Sequence, residues 1–405
     1  MNTIRVIDAR MGRGKTTAAI RYINETKGKK RFLFVTPFLT EVDRICKACN
    51  FDQPKDDANA KSVELRKYLR AGENVAISHA LFHLMERDTL ELVKRKHYSL
   101  IVDESLSVIT KYPISNDDFS ILMNQCADVD ENDMVIWRDP KYKGVFKEYK
   151  KMSEEKKLYV VGNTLFSVMS PELLTSFDEV IMMTYMFGGQ YQKAYLDFFR
   201  LPYTVCGIEE DSEGYKFSDK PDDPGPINYD ELIHIVENRR MNAIGDGTFT
   251  LAKAWYEARE YDDPEMKKLR NNMYNFFKKV TDSNSGNRLW TCFKGLGKKL
   301  IPKNGRFSNN FLQLSARATN NYRDCTALAY MINRYMDPNY CKFFAKRGVN
   351  ISRDQFALSE MLQWIWRSAI RDDKPITIYI PSERMRNLLK DWMRQQRYGG
   401  DVDAA

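Results

Sequence analysis

The amino-terminal part of the sequence contains a glycine-rich motif with the residue types and spacing that bind phosphate. Residues 9–16 read Ala-Arg-Met-Gly-Arg-Gly-Lys-Thr, which fits G-x-x-x-x-G-K-[ST] with alanine at the first position. In this pattern, small residues let backbone N–H groups approach phosphate oxygens, the lysine reaches the terminal phosphates, and the hydroxyl ligates Mg²⁺. The motif predicts a nucleoside triphosphate site formed by Ala9, Gly12, Arg13, Gly14, Lys15, Thr16 and Thr17.

Two adjacent acids further along the chain could complete this site. Asp103 and Glu104 directly follow the apolar run at 100–102. Such a run ending in Asp-Glu is more often a simple strand-to-loop turn, but the phosphate-binding motif upstream favours a functional pair. We expect Asp103 to hold Mg²⁺ together with Thr16, and Glu104 to polarise an attacking water. Two acids with separate roles favour hydrolysis over transfer to a small acceptor.

The elements that must position these residues are short apolar runs alternating with helical patterns, which is typical of a parallel α/β sheet. The central runs are apolar without alternation, as expected for strands covered on both faces. Predicted strands cover residues 4–7, 31–35, 75–77, 100–102, 158–161, 180–183, 289–293, 311–314 and 376–380, and predicted helices cover 16–26, 39–48, 81–84, 325–335 and 358–370. The predicted fold class is α/β, with parallel sheets flanked by helices.

Length and composition indicate a globular chain with two lobes. Its 405 residues exceed a typical domain, and 43% hydrophobic with 29% charged residues excludes a disordered or collagen-like chain. The predicted organisation is a first lobe at 1–208 with a helical insertion at about 106–176, an acidic linker at 209–228, a second lobe at 229–396 and a flexible tail at 397–405.

The net charge and the distribution of apolar residues restrict the possible partners and the cellular location of the protein. A formal net charge of +8 permits a polyanionic partner but does not prove one. No apolar run reaches the roughly 20 residues that cross a bilayer, and no secretory signal is visible. Seven cysteines without a paired framework suit a reducing compartment. We therefore expect a cytoplasmic protein with no membrane partner.

Further motifs make the chain resemble the superfamily-two (DEAD/DEAH-like) helicases, and particularly the helicase-like ATPases of bacteriophages. The resemblance covers nearly the whole length. The matching segments are Phe-Val-Thr-Pro-Phe-Leu at 34–39, Ile-Ser-His-Ala-Leu-Phe at 77–82, Asp-Glu-Ser at 103–105, Met-Thr-Tyr at 183–185, Ala-Arg-Ala-Thr-Asn at 316–320 and Gln-Trp-Ile-Trp-Arg-Ser-Ala-Ile-Arg at 363–371. In that order, they are similar to motif Ia, the T-H type motif, the D-E-x box, the S-A-T motif, motif V and motif VI.

The resemblance implies a two-lobed motor with RecA-like P-loop NTPase lobes that use ATP and Mg²⁺. It implies catalytic roles for Lys15, Glu104, Gln363, Arg367 and Arg371. It implies contacts with nucleic acid by Thr36, Ser78, His79, Arg317 and Thr319, and coupling of hydrolysis to movement through Thr184. The implied partner is nucleic acid, with DNA favoured over RNA and the choice left open, in phage replication or recombination, with other replication proteins as further candidates. The implied location is the host cytoplasm.

The segment at 363–371 departs from the family pattern. Trp364 stands where arginine is usual, Trp366 stands where glycine is usual, and the final arginine comes eight residues after Gln363 instead of seven. The spacing of Gln363, Arg367 and Arg371 predicts that all three share one helix face. Which arginine stabilises the phosphoryl group stays open, with Arg367 the positional match.

Two other functions stay open. One is a packaging-type motor ATPase resembling a phage large terminase, which would need an acidic nuclease cluster in the second half. The other is an ATP-gated nucleic-acid binding or loading module that does not separate strands.

Several further features favour structural roles over chemical ones. Cys46 and Cys49 have C-x-x-C spacing without a partner pair, so idle thiols are favoured over a zinc site. Trp364 and Trp366 could stack bases but are expected to be core residues. The lysine-rich stretch at 141–157 is expected to be a solvated helix face.

Overall fold

The computed structural model describes residues 3–55, 58–314 and 321–398. Contacts divide the chain into two compact units. Unit 1 contains Met1–Asp222 and Asp337–Ile351, and unit 2 contains Asp223–Met336 and Ser352–Ala405.

Strands and helices alternate along the described residues. The strands are β1 (Ile4–Asp8), β2 (Arg31–Thr36), β3 (Val75–Ser78), β4 (Tyr98–Asp103), β5 (Ile109–Tyr112), β6 (Ala127–Val129), β7 (Val135–Trp137), β8 (Leu158–Val161), β9 (Thr164–Val168), β10 (Glu179–Thr184), β11 (Tyr203–Asp211), β12 (Gly214–Ser218), β13 (Ile233–Ile235), β14 (Arg288–Thr291), β15 (Ala327–Tyr330) and β16 (Ile376–Tyr379). The helices are α1 (Lys15–Glu25), α2 (Leu39–Cys49), α3 (Ala58–Ala71), α4 (His79–His83), α5 (Arg87–Arg95), α6 (Asn116–Ile121), α7 (Lys147–Glu154), α8 (Glu172–Thr175), α9 (Tyr191–Phe198), α10 (Arg239–Asn242), α11 (Lys253–Glu257), α12 (Pro264–Asn275), α13 (Pro338–Ala345), α14 (Arg353–Ile365) and α15 (Glu383–Tyr398).

The large sheet of unit 1 has the strand order β12-β11-β1-β10-β4-β2-β3. Its neighbours pair in parallel except for the β11–β12 hairpin, which is antiparallel at one edge. Side chains of β2 show why the strands are apolar throughout: Leu33 and Val35 join one buried cluster, while Phe32 and Phe34 join another on the opposite face. The predicted α/β class, with a parallel-dominated sheet flanked by helices, is confirmed.

The segment between β4 and β10 differs from the predicted helical insertion. Strands β5, β9 and β8 form an antiparallel sheet, and β6 pairs with β7. The helix within the lysine-rich stretch, α7, is much shorter than that stretch. Leu122, Val135 and Leu165 belong to a buried cluster that this segment forms for itself. The helical prediction is wrong because the high charge of the region masked short strands with one apolar face.

Helix α13 belongs to unit 1 although its sequence lies far along the chain. Phe343 and Phe344 are buried in the core of that unit, where Phe343 stacks on Phe198 with ring centroids 5.0 Å apart. Lys111 pairs with Asp337, the N-cap of the helix, at 2.5 Å. The aromatic residues therefore fix this late segment against the first sheet.

Unit 2 contains a parallel sheet with the order β13-β16-β15-β14. The predicted helix at 325–335 is wrong, because residues 327–330 form the buried strand β15. Its Ala-Leu-Ala-Tyr sequence contains good helix formers. The segment is nevertheless a strand because it is buried on both faces of the sheet. The predicted strand at 311–314 is reduced to a single bridge between Trp290 and Phe311.

Two predicted connecting segments also change. Residues 209–218, expected in an open linker, complete β11 and form β12, because Tyr215 and Phe217 alternate with polar residues and pack against the core beside α1. Arg397 and Tyr398, expected in a flexible tail, end α15, and 399–405 lie outside the described residues. None of the described helices has the length and apolarity that crossing a membrane requires.

Candidate nucleotide-binding site

The carboxyl ends of the central strands of unit 1 bring the predicted acids and the glycine-rich segment together. Asp8 ends β1, Asp103 ends β4 and Thr184 ends β10. Asp8 is in register with Thr184, and Asp103 is in register with Met183. Because these strands are parallel, their ends lie at the same edge of the sheet. The glycine-rich segment follows directly from β1 at that edge.

The backbone of the glycine-rich segment has a conformation that suits phosphate binding. Gly12 and Gly14 adopt φ angles of 83° and 80°, in the left-handed region that side chains disfavour. Helix α1 begins at Lys15, and its N-cap residue is Gly14, which has no side chain that could cap the helix. The first N–H groups of a helix are anion donors, and the helix dipole favours negative charge at this end. Thr16 and Thr17 lie in this first turn.

Lys15 lies inside the loop, facing the acids. Its Nζ donates hydrogen bonds to the carbonyl oxygens of Ala9 and Arg10, the latter at 2.9 Å. Burial lowers the pKa of Lys15, and the negative charges of Asp103, Asp8 and Glu104 oppose that lowering. The lysine is thus a partly desolvated cation placed between backbone carbonyls and carboxylates.

Asp103 is a buried acid with a perturbed charge state. Only 9% of the residue is exposed. The pKa of Asp103 is raised to about 7, chiefly by burial and also by the charge of Glu104, while the charge of Lys15 opposes the rise. Its backbone oxygen lies 2.9 Å from Nε2 of His79. A carboxyl that is costly to ionise in isolation is typical of a site that receives a cation.

Glu104 has a different environment from its neighbour. It is exposed, and its φ of 62° lies in the left-handed region. Its backbone N–H donates to the carbonyl oxygen of Met183 at 3.0 Å, which fixes the turn. The conformation costs about 1 kcal/mol for a residue other than glycine, and strain of this kind is common at functional sites. The turn therefore separates the two carboxylates, one buried and one accessible.

The residues present fit a nucleoside triphosphate with Mg²⁺. The loop offers backbone N–H groups, a helix N-terminus and a lysine for a phosphate chain. Thr16 and Asp103 offer the hard oxygen ligands that Mg²⁺ prefers when it keeps several waters. Within the described ranges, no group of three or more His, Cys, Asp or Glu side chains is placed to hold a metal by itself.

A hydrogen-bond network that the motif analysis did not identify connects Thr184 to the acid-bearing turn. Ser105 Oγ donates to Oε1 of Gln190 at 2.6 Å, and Nε2 of Gln190 donates to Thr184 Oγ1 at 2.7 Å. The backbone N–H of Leu106 donates to Gln192 at 2.8 Å. Neither glutamine belongs to a matched motif, so only the fold places them beside Asp103. The network joins the ends of β4 and β10.

The residues predicted to contact nucleic acid differ in how exposed they are. Thr36 is fully buried and His79 is 4% exposed. Ser78 is half-buried and caps α4 by accepting from the N–H of Leu81 at 3.3 Å. The burial of Thr36 and His79 argues against a direct contact of either side chain with a bound strand. Arg317 and Thr319 lie outside the described residues.

The segment at 363–371 does not form one helix face. Helix α14 ends at Ile365, so Gln363 lies on the helix while Arg367 and Arg371 lie beyond it. Trp366 is the C-cap of the helix, and the extended backbone of Ser368 separates it from the short 3₁₀ helix at Ala369–Asp372. The predicted shared face is therefore wrong. Arg367 is half-buried, and Arg371 is exposed in a short 3₁₀ helix.

Residues that the sequence assigned to structural roles are found in those roles. Trp364 is fully buried and donates from Nε1 to Leu312 at 3.3 Å, and Trp366 is 6% exposed and packs against Trp392. Cys46 and Cys49 carry free thiols, and burial raises the pKa of each to about 11. Both pairs contribute to packing within their units.

The fold is that of an α/β protein with parallel sheets flanked by helices, and it is similar to the fold of a solved structure over nearly the whole chain. The structure of S. tokodaii Xpd4 aligns with a TM-score of 0.50 at 15% identity and covers 96% of this chain and 94% of that one. The structure of the DUF1998 helicase MrfA bound to DNA aligns with a TM-score of 0.34 at 9% identity, over 98% of this chain and 50% of that one. At these identities the likeness to Xpd4 shows the fold alone.

The chain belongs to the YonV family. Residues 227–393 match the model of the YonV C-terminal Rossmann-like domain, and residues 109–169 match that of the YonV middle domain. The SPbeta prophage-derived uncharacterized protein YonV of Bacillus subtilis (strain 168) is 36% identical over 415 residues, covering 98% of this chain and 100% of that protein. The middle-domain match falls within the segment between β4 and β10.

Proposed function

We propose that this protein hydrolyses ATP and uses the reaction to move along or unwind nucleic acid. The observation that carries the proposal is the position of Lys15, inside a glycine-rich loop and close enough to Asp103 and Glu104 for their charges to affect its pKa. Three ionisable groups at one sheet edge, of which Asp103 is buried and Lys15 is half-buried, are costly unless a charged ligand uses them. The helicase-like fold and the motif resemblance supply the nucleic-acid part of the proposal.

Each group at the loop edge, which is the carboxyl edge of the unit 1 sheet beside the glycine-rich loop, has a distinct task in this proposal. The N–H groups of the loop and Lys15 bind the phosphate chain, and the carbonyl oxygens that now accept from Lys15 release it. Thr16 and Asp103 would hold Mg²⁺, which supplies neutralisation of charge on the phosphate oxygens. Glu104 is the exposed carboxylate of the pair and orients a water for attack. The acid that must stay ionised and the acid that handles a proton are thus different residues.

The remaining roles rest on the resemblance. We assign coupling to Thr184, whose network with Gln190 and Ser105 supports that role because it joins two strand ends at the proposed site. Gln363 and one of the two arginines, Arg367 or Arg371, take part in hydrolysis. DNA is the favoured nucleic acid, and the prophage origin of the B. subtilis relative supports phage replication or recombination as the context.

The proposal is tested by measuring ATP hydrolysis with and without single- or double-stranded DNA and RNA, beside unwinding of a forked substrate. We expect hydrolysis that single-stranded nucleic acid stimulates, together with ATP-dependent release of a strand. Stimulated hydrolysis without strand release would favour the ATP-gated binding or loading module. Absence of hydrolysis under every condition would contradict the enzyme.

A further inference from the structure

The β11–β12 hairpin contacts the phosphate-binding loop directly. A Cβ atom placed on Gly14 would lie 2.3 Å from Cδ2 of Tyr215, so the tyrosine ring packs against the glycine without space for a side chain. The guanidinium of Arg13 lies 5.9 Å from the centre of the same ring. Tyr215 is half-buried, so part of the residue remains exposed to solvent.

The hairpin is held firmly in this position. Arg21 of α1 donates to Asp211 at 2.7 Å, to Glu213 at 2.9 Å and to the carbonyl oxygen of Gly214 at 3.3 Å. These contacts hold the turn of the hairpin against the helix that starts at the loop. The ring of Tyr215 is therefore a fixed neighbour of the phosphate cradle.

The strand order indicates which part of a bound nucleotide would lie beside this hairpin. Asp103 and Glu104 end β4, on one side of β1, while β11 and β12 lie on the other side. The metal and the attacking water belong at the terminal phosphate, so that end of the nucleotide faces the acids. The nucleoside end must then extend in the opposite direction, towards the hairpin.

A charged pair completes the wall beside Tyr215. Nε of Arg13 lies 3.6 Å from Oδ1 of Asp222, whose side chain is 7% exposed. That Nε is buried and donates no hydrogen bond within the described residues. Oδ1 of Asp222 accepts from the N–H of Ile208 at 3.3 Å, which anchors the pair to β11. An aromatic ring beside a few polar groups is the usual composition of a ligand wall.

We propose that the β11–β12 hairpin is the base-binding wall of the nucleotide site, with the nucleobase stacked on Tyr215. This inference rests on the proposed function and adds to it the element that recognises the nucleoside. Stacking is tolerant of base identity because every base has a π face, so Tyr215 provides affinity for nucleotides over bare phosphate chains.

The test compares two ligands that share the phosphate chain and differ in the nucleoside. Binding of AMP-PNP and of inorganic tripolyphosphate, each with Mg²⁺, is measured for the full chain and for Tyr215→Leu. We expect Tyr215→Leu to weaken AMP-PNP by roughly tenfold, since base stacking on an aromatic ring is lost. Its affinity for tripolyphosphate should stay within about twofold of wild type, which also shows that the loop is folded.

Two further variants sharpen the result. Tyr215→Phe keeps the ring and should bind both ligands as wild type does. Phe217→Leu removes a ring from the same strand that packs on Tyr22, with centroids 5.6 Å apart, and should leave the preference for AMP-PNP unchanged.

The inference is overturned if Tyr215→Leu weakens both ligands equally, because the ring would then brace the loop, or if it weakens neither. Wild-type protein that binds neither ligand would remove the proposed function and this inference together. If wild type binds AMP-PNP but Tyr215→Leu weakens both ligands equally or neither, the proposed function stands and only this inference fails.

Discussion

The carboxyl edges of the two parallel sheets carry different chemistry. In unit 1 the edge has the acids Asp8 and Asp103 beside a glycine-rich loop with a lysine. In unit 2 the strands β14 and β15 end in Thr291 and Tyr330, which are fully buried neutral side chains. Within the described residues, neither hydroxyl has a hydrogen-bond partner, and burial raises the pKa of Tyr330. Of these two edges, the first carries the lysine that could bind a phosphate and the acids that could hold its metal ion.

This difference indicates where the protein gives up folding stability in favour of function. Burying an ionisable carboxyl and a lysine side by side destabilises a protein unless each compensates the other or a ligand does. Burying a hydroxyl costs less, about 1–3 kcal/mol when it has no partner. Unit 1 therefore bears the larger cost, at the edge where the sequence motifs place the nucleotide.

The largest expected effect comes from Lys15→Ala. Removing the cation that binds the terminal phosphates should lower ATP turnover by more than about a thousandfold, because transition-state charge loses its nearest donor. The matched control is Lys30→Ala, which removes a lysine paired with Glu179 at 2.8 Å near the opposite edge of the same sheet. Steady-state ATPase assays should show loss only for Lys15→Ala. Turnover within tenfold of wild type in that variant would place the site elsewhere.

Glu104→Gln should give the next largest effect. The amide cannot accept a proton from the attacking water, so turnover should fall by about 10²- to 10³-fold. AMP-PNP affinity should be retained, since the exposed Glu104 side chain is not needed to bind the phosphates. Equal loss of binding and turnover would instead mean that Glu104 helps to form the site.

Arg367→Ala and Arg371→Ala test whether two arginines of unit 2 contribute to turnover, as the residues of the unit 1 site are expected to do. We expect Arg367→Ala to preserve AMP-PNP binding and lower turnover by about a hundredfold, as for an arginine that stabilises transferred charge. Arg371→Ala should have the smaller effect, because its side chain is exposed in a separate 3₁₀ helix. The reverse order would assign the role to Arg371, and no change in either would remove unit 2 arginines from the reaction.

The smallest effects are expected for two buried hydroxyls, Thr36 at the end of β2 and Thr291 at the end of β14. Valine has the same shape without the hydroxyl, so Thr36→Val and Thr291→Val should leave the free energy of unfolding unchanged or raise it by about 1 kcal/mol. Chemical denaturation measures this change. Affinity of Thr36→Val for single-stranded DNA should stay within about twofold of wild type. A large loss would restore Thr36 as a contact.

The sequence predicted the loop edge well because its signals are local. The bounds of β1 and α1 lie within one residue of the prediction, and the buried run before Asp103 is a strand. A glycine-rich loop, a helix start and an acid at a strand end are each encoded by a few adjacent residues. The lowered pKa of Lys15 and the network through Gln190 depend on the fold and could not be inferred from spacing.

The sequence failed where burial or long-range pairing decides the structure. Strand β15 reads as a helix because Ala and Leu favour helices, and only its place between β14 and β16 makes it a strand. The β11–β12 hairpin was hidden by acidic residues around its turn, although Tyr215 and Phe217 alternate as strand residues do. The shared face predicted for 363–371 failed because the helix ends at Ile365, before either arginine.

The most direct test of the central claim is Mg²⁺-dependent ATP hydrolysis by wild type, Lys15→Ala and Lys30→Ala, each with and without single-stranded DNA. The account predicts hydrolysis by wild type and Lys30→Ala that rises when DNA is added, and none by Lys15→Ala. Hydrolysis that survives in Lys15→Ala, or that is absent from wild type, would contradict it.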